Sequence, residues 1–161
     1  MGAVTGAEAR LAELGIALPP VTRPVASYIP ANRIGDLVWV SGQLPMVDGQ
    51  LAASGKVGAE VEAEAAADLA RTCAINALAA IKSVTGDLDA VVRVVKVVGF
   101  VASAPTFTGQ PAVINGASNL LTDVFGEAGK HARSAVGVAA LPLDAPVEVE
   151  LVVQVRSDLA I

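Results

Sequence analysis

The clearest alternation in the chain lies over residues 146–155. Val147, Val149, Leu151, Val153 and Val155 fall on one side, and Glu148, Glu150 and Gln154 on the other, with Val152 the exception. A period of two predicts a strand with one face in the core. Residues 91–102 are apolar and β-branched, which predicts a buried strand, and Gly99 inside it marks a bulge or a close approach. A third strand is expected over 134–141, joined to 146–155 by a hairpin through Pro142, Asp144 and Pro146. Two short strands, 25–28 and 37–41, are expected to pair across a turn holding Pro30, Asn32 and Gly35.

Helical spacing appears in three places. Ala65, Leu69, Cys73, Leu78 and Ile81 recur along one side of residues 61–84, and the acidic start at Glu60, Glu62, Glu64 and Asp68 suits a helix N-terminus. Ile114, Ala117, Leu121, Val124 and Phe125 mark a helix over 111–125, with Pro111 in its first turn and Gly126 as its stop. A short helix over 6–14, with Ala7, Leu11 and Leu14 on one face, precedes the extended Leu18-Pro19-Pro20 link. Residues 42–58 read as a loop. The order after this N-terminal extension is β-β-α-β-α-β-β. That predicts an α+β fold, a mixed sheet with two helices on one face.

Composition narrows the function classes. With 161 residues the chain fits one domain, 1–161, with 1–20 as extension. Hydrophobic residues are 53% and charged residues 17%, which excludes disorder. Aromatics are only 3%, so the core is aliphatic. A net charge of −5 argues against nucleic acid as partner, since a phosphate backbone selects a basic face. So few charges leave apolar surface to cover, which predicts a homo-oligomer. No stretch reads as a signal peptide, and no apolar run approaches the roughly 20 residues of a membrane span, so a cytoplasmic location is expected, with no membrane partner.

Chemistry has few candidates. One cysteine, Cys73, falls on an apolar helix face and reads as core; one histidine, His131, reads as a solvated loop residue. Metal-ligand spacings and Gly-rich phosphate loops are missing. Arg133 stands just before an apolar strand, where a partly desolvated guanidinium could hold a carboxylate through two parallel hydrogen bonds. Glu148 sits on the polar face of the last strand, expected to pair with the strand of Arg133, where a carboxylate could activate water. The plainer alternative is a surface ion pair between the two.

The run Ala132-Arg133-Ser134-Ala135-Val136, then Leu141-Pro142, then Val147-Glu148-Val149-Glu150, resembles the C-terminal signature of the Rid family, also called YjgF or L-PSP endoribonuclease-like. Trp39-Val40-Ser41-Gly42-Gln43-Leu44-Pro45 is similar to its N-terminal signature. The resemblance spans residues 25–155. It implies a chorismate-mutase-like fold and a homotrimeric barrel with clefts between subunits. It also implies hydrolysis of reactive enamines and imines to 2-oxo acids and ammonia, with no cofactor.

By the same resemblance Arg133 binds the substrate carboxylate and Glu148 positions the attacking water. Tyr28, Gly42 and Asn115 complete the substrate-binding set, and no metal is expected. Tyr28 could equally pack at a subunit contact, and Trp39 in the core or at an interface. Departures from the family pattern are Ala135 for the usual Cys, Gly137 for a frequent Glu, and Lys130-His131-Ala132 before the arginine. Together with the N-terminal extension they make this a longer, divergent branch. The small Ala135 and Gly137 would leave room for a bulkier substrate. Two other functions stay open: a non-catalytic trimer that binds small carboxylates, and an endoribonuclease or translation inhibitor.

Overall fold

The computed structural model describes residues 6–21 and 25–159. Its helices are α1 (Ala7–Glu13), α2 (Ala63–Thr85) and α3 (Gln110–Phe125). Its strands are β1 (Ala31–Ile34), β2 (Leu37–Val40), β3 (Met46–Val47), β4 (Gln50–Leu51), β5 (Val91–Ala102), β6 (Ala132–Val138) and β7 (Val147–Val155). Five strands form one mixed sheet in the order β1-β2-β7-β5-β6, and β3 and β4 form a separate small hairpin. Helices α2 and α3 cover one face of the large sheet. This is the expected α+β arrangement, a mixed sheet with helices on one face.

The core is aliphatic, as the composition requires. Val147, Val149, Leu151, Val153 and Val155 of β7 are buried, as are Val94, Val97 and Val101 of β5, with Leu78 and Ile81 of α2 and Ile114, Leu120 and Leu121 of α3 above them. The inner stripe of α2 starts from Ala66 and Ala70, whereas Ala65, expected there, is exposed. Small residues bring the helices close. A Cβ on Gly116 of α3 would overlap the Ala67 carbonyl oxygen and stand 2.7 Å from its carbon. Gly99 is likewise a point of close approach, because the Ile114 side chain fills the space its Cβ would take; the register shifts of β5 lie earlier, at Val91/Arg93 and Val94/Lys96.

Three expectations about strands fail. The strand expected at 25–28 lies instead at Ala31–Ile34, and pairs with β2 through Ile34↔Leu37. Only Gly35 and Asp36 form the turn, with Gly35 at φ 60°, so Pro30 and Asn32 are not turn residues of this hairpin. A two-residue turn with positive φ matches the twist of its strands better than the wider loop does. Within the stretch read as loop, Asp48 and Gly49, both at positive φ, close the β3–β4 hairpin. Most consequential, β6 and β7 do not pair. β6 runs parallel to β5 at the sheet edge, and β7 inserts between β2 and β5, antiparallel to both. The turn over Pro142–Asp144 therefore belongs to a link that crosses β5 rather than to a hairpin. The reason is burial. Every odd position of β7 is buried and every even one half-buried, the pattern of a central strand, whereas β6 has no fully buried residue.

Candidate functional site

Arg133 projects from β6 toward α3. Its Nη1 donates to Asn115 Oδ1 at 2.8 Å and to Ser118 Oγ at 3.2 Å. The structure thus brings together Arg133 and Asn115, two of the residues proposed from sequence. Parallel pairing places Arg133 opposite the buried Val97, on the helix-covered side of the sheet. The arginine is half-buried and, among the described residues, forms no ion pair. Its positive charge is held by neutral acceptors only, which leaves it able to accept an anion.

His131, read from sequence as a solvated loop residue, is half-buried instead. Its Nε2 lies 2.9 Å from Ser118 Oγ and its Nδ1 2.6 Å from the Gly129 carbonyl oxygen. Neither His131 nor Ser118 was singled out by any motif. The signal that existed was spacing: Ser118 lies one helical turn beyond Asn115 and shares its face.

Glu148 is elsewhere. It stands opposite Phe100 on β5, three positions from the Val97 partner of Arg133, and so lies on the other face of the sheet. The expected juxtaposition of Arg133 and Glu148 on paired strands is not present within one chain, and neither is the surface ion pair. The middle strand β5 separates them.

Glu148 has a different neighbourhood. Gln43 exchanges both backbone hydrogen bonds with Val149, at 2.8 and 3.0 Å, which extends the β2–β7 ladder past β2 and lays Gly42 against Glu148. A Cβ on Gly42 would overlap Glu148 Oε1 and stand 2.8 Å from Cδ. Burial, and then repulsion from Glu150 on the same face, raises the carboxyl above its ordinary value. Gly42 also lines a cavity of about 470 Å³ with Tyr28, Pro30, Gln43 and Asn76. Pro19 and Pro20 of the N-terminal extension, and Val21 just after it, form part of its wall. Asn76 of α2 fixes this corner by donating to the Leu44 and Met46 carbonyls at 3.0 and 3.1 Å. A second groove of about 640 Å³, lined by Leu11, Ile16, Leu18 and Lys82 among others, contains none of the candidate residues.

The candidates thus divide into two half-sites. Arg133 and Asn115 form one; Glu148 with Gly42 against it forms the other, and Gly42 also lines the cavity of Tyr28, whose wall does not include Glu148. Ala135 and Gly137 share the face of Arg133. The space beside Gly137 is not open, however, because Gln110 Nε2 would lie 2.8 Å from a Cβ there, held by the Phe107 carbonyl at 2.8 Å and by Ser103 Oγ at 3.2 Å. Cys73 is fully buried in α2, as expected, and desolvation pushes its thiol far above the usual range. Trp39 is not in the core but 52% exposed on the uncovered sheet face, where Ile34 and Val136 are also exposed. No group of His, Cys, Asp and Glu suited to a metal occurs among the described residues. No helix among them is long and apolar enough to cross a membrane.

Residues 8–155 match the family model described as "YjgF/chorismate_mutase-like, putative endoribonuclease". The chain is similar to Protein TCP17 of Trypanosoma cruzi, 44% identical over 150 residues, covering 92% of this chain and 94% of that one. It is 48% identical to Atu1372 of Agrobacterium tumefaciens, a protein described as of unknown function, with 93% of each chain covered and a TM-score of 0.84. It also resembles the Escherichia coli protein TdcF, solved with bound serine, at 27% identity and a TM-score of 0.60, covering 87% of this chain and 94% of that one.

Proposed function

The chain belongs to the YjgF/chorismate mutase-like family, and from that premise we propose that it hydrolyses reactive 2-imino or enamine acids to 2-oxo acids and ammonia. The site would lie in a cleft between subunits of a homotrimer, with residues 25–155 as the catalytic domain. The observation that carries this reading is the guanidinium of Arg133, half-buried, steadied by Asn115 and Ser118, and free of any carboxylate partner among the described residues. Such a group has charge and hydrogen-bond donors to give to a substrate carboxylate, worth about 1.5–3 kcal/mol.

The separation of the two half-sites supports a shared site. Glu148 and Arg133 occupy opposite faces of one sheet, so a substrate that touches both must take one from each of two protomers. The uncovered sheet face, with Trp39, Ile34 and Val136 exposed, supplies apolar surface for such an assembly. The serine bound in TdcF carries a small carboxylate, the feature it shares with the imino acids proposed here.

In the proposed reaction Arg133 and Asn115 orient the substrate, and Glu148 accepts a proton from water as its oxygen adds to C2. The substrate reacts as its N-protonated iminium form, so the C=N π electrons that pass to nitrogen give a neutral carbinolamine. Protonated Glu148 returns the proton to nitrogen, which becomes an ammonium leaving group; the C–N bond breaks and ammonia leaves as the Glu148 carboxylate takes the hydroxyl proton and the 2-oxo acid forms. A raised carboxyl value suits a general base, since a more basic carboxylate takes a proton more readily. Tyr28 and Gly42 would border the cleft from the Glu148 side.

The test couples a threonine dehydratase to this protein and traps free imine with semicarbazide. The expected result is faster 2-oxobutanoate release and less trapped imine. Arg133→Ala should reduce the effect roughly 10- to 150-fold, the kinetic equivalent of the lost carboxylate contact. Binding of 2-oxobutanoate without acceleration of any amino-acid-derived imine would favour a non-catalytic binding trimer. RNA cleavage that disappears in Arg133→Ala would favour the endoribonuclease of the family's description.

A further inference from the structure

We propose that His131 and Ser118 form a positioning relay that fixes which edge of the Arg133 guanidinium faces the substrate. This inference rests on the reading of Arg133 as the carboxylate-binding residue.

For a neutral imidazole, the direction of every hydrogen bond in the relay follows from valence. The Gly129 carbonyl can only accept, so His131 Nδ1, 2.6 Å away, carries the ring proton. A neutral imidazole has one N–H, so Nε2 presents a lone pair, and Ser118 donates its hydroxyl hydrogen to it across 2.9 Å. With that hydrogen committed, the remaining lone pairs of Ser118 Oγ face Arg133, whose Nη1 donates across 3.2 Å. The second hydrogen of Nη1 goes to Asn115 Oδ1 at 2.8 Å. Both hydrogens of Nη1 are therefore used within the chain. The side-on edge, made of Nε–H and one Nη2–H, makes no hydrogen bond among the described residues. Two parallel donors on that edge match the two oxygens of a carboxylate.

The relay also explains how a helical serine stays available. A serine inside a helix tends to turn its hydroxyl back to the carbonyl four residues earlier, here Ile114. His131 Nε2 draws that hydrogen outward instead. Removal of the imidazole should release Ser118 toward Ile114 and let the guanidinium rotate. The relay needs no partner chain: Gly129, His131 and Arg133 lie within five residues, and α3 holds Ser118 and Asn115 above them.

Two measurements test this. The first is long-range nitrogen–proton NMR of the unliganded protein. His131 should be the Nδ1–H tautomer, and its Nε2 resonance should move in Ser118→Ala, a change that loss of packing alone would not produce. The second is calorimetric binding of 2-oxobutanoate. Ser118→Ala and His131→Ala should weaken binding about fivefold to tenfold, with melting temperatures close to that of the parent. Ser118→Thr keeps the hydroxyl, and His131→Gln keeps an acceptor near the Nε2 position. Both should stay within about threefold of the parent. An Nε2–H tautomer, or unchanged affinity in both alanine variants while Arg133→Ala abolishes binding, overturns the relay alone. Binding that survives Arg133→Ala, or no binding at all by the parent, counts against the hydrolase reading, and the tautomer measurement still decides the relay.

Discussion

Gly42→Ala separates folding from chemistry at the Glu148 half-site. The added Cβ would overlap Glu148 Oε1 and lie 2.8 Å from Cδ, whereas ordinary contact begins at 3.4 Å. The Cδ must then retreat by 0.6 Å or more, and Oε1 by more than that. The obstacle is the far end of a flexible side chain, and no positive φ marks Gly42 as a position that only glycine tolerates. The fold should therefore survive, with melting within a few degrees of the parent. The carboxylate, however, is displaced by about 1 Å, and a misplacement of that size costs on the order of 100-fold in rate, or about 2.7 kcal/mol. The assay is the coupled dehydratase reaction with semicarbazide trapping, run on Gly42→Ala, Glu148→Gln and the double variant. If Gly42 acts by giving Glu148 its place, the double variant is no slower than Glu148→Gln alone. An active Gly42→Ala, within threefold of the parent, would refute the argument. So would a double variant that loses the full product of both effects.

Further outcomes are expected. Glu148 is raised by burial and by Glu150, so kcat/KM should climb as pH rises through its value, and Glu150→Gln should move that acid limb to lower pH. For stability the sign is opposite: a carboxyl raised on folding stabilises fully below its unfolded value, and that contribution fades as pH rises through the folded one, so Glu148→Gln should melt higher than the parent at neutral pH. Gly116→Ala forces α2 and α3 apart against the Ala67 backbone; overpacking of about 1–3 kcal/mol outweighs a gain of up to about 1 kcal/mol in helix propensity, and differential scanning calorimetry should show a fall of several degrees. Cys73, buried with its thiol far above the usual range, should react with a disulfide reagent only on unfolding. Trp39→Glu, on the uncovered sheet face, should shift the protein toward monomer in analytical ultracentrifugation and lower hydrolysis with it.

Local pattern alone determined much of this protein. The alternation at 146–155, the β-branched run at 91–102 and the helical spacing over 61–84 and 111–125 each correspond to an element within a few residues, because burial against a single core imposes a period on the chain. The signature around Arg133 also pointed to the family, and that resemblance singled out Arg133 and Asn115, but that they touch is a finding of the structure. What the sequence could not settle was which strands are neighbours. Two apolar runs joined by a short, proline-rich link look alike whether they form a hairpin or pass on either side of a third strand. That choice is made by how much each can bury, and β7 buries more than β6. From it follow the separation of Arg133 from Glu148, the contact of Gly42 with the Glu148 carboxylate, and the meeting of His131 with Ser118. Each depends on distances between residues far apart along the chain, which only the packed sheet and its helices define.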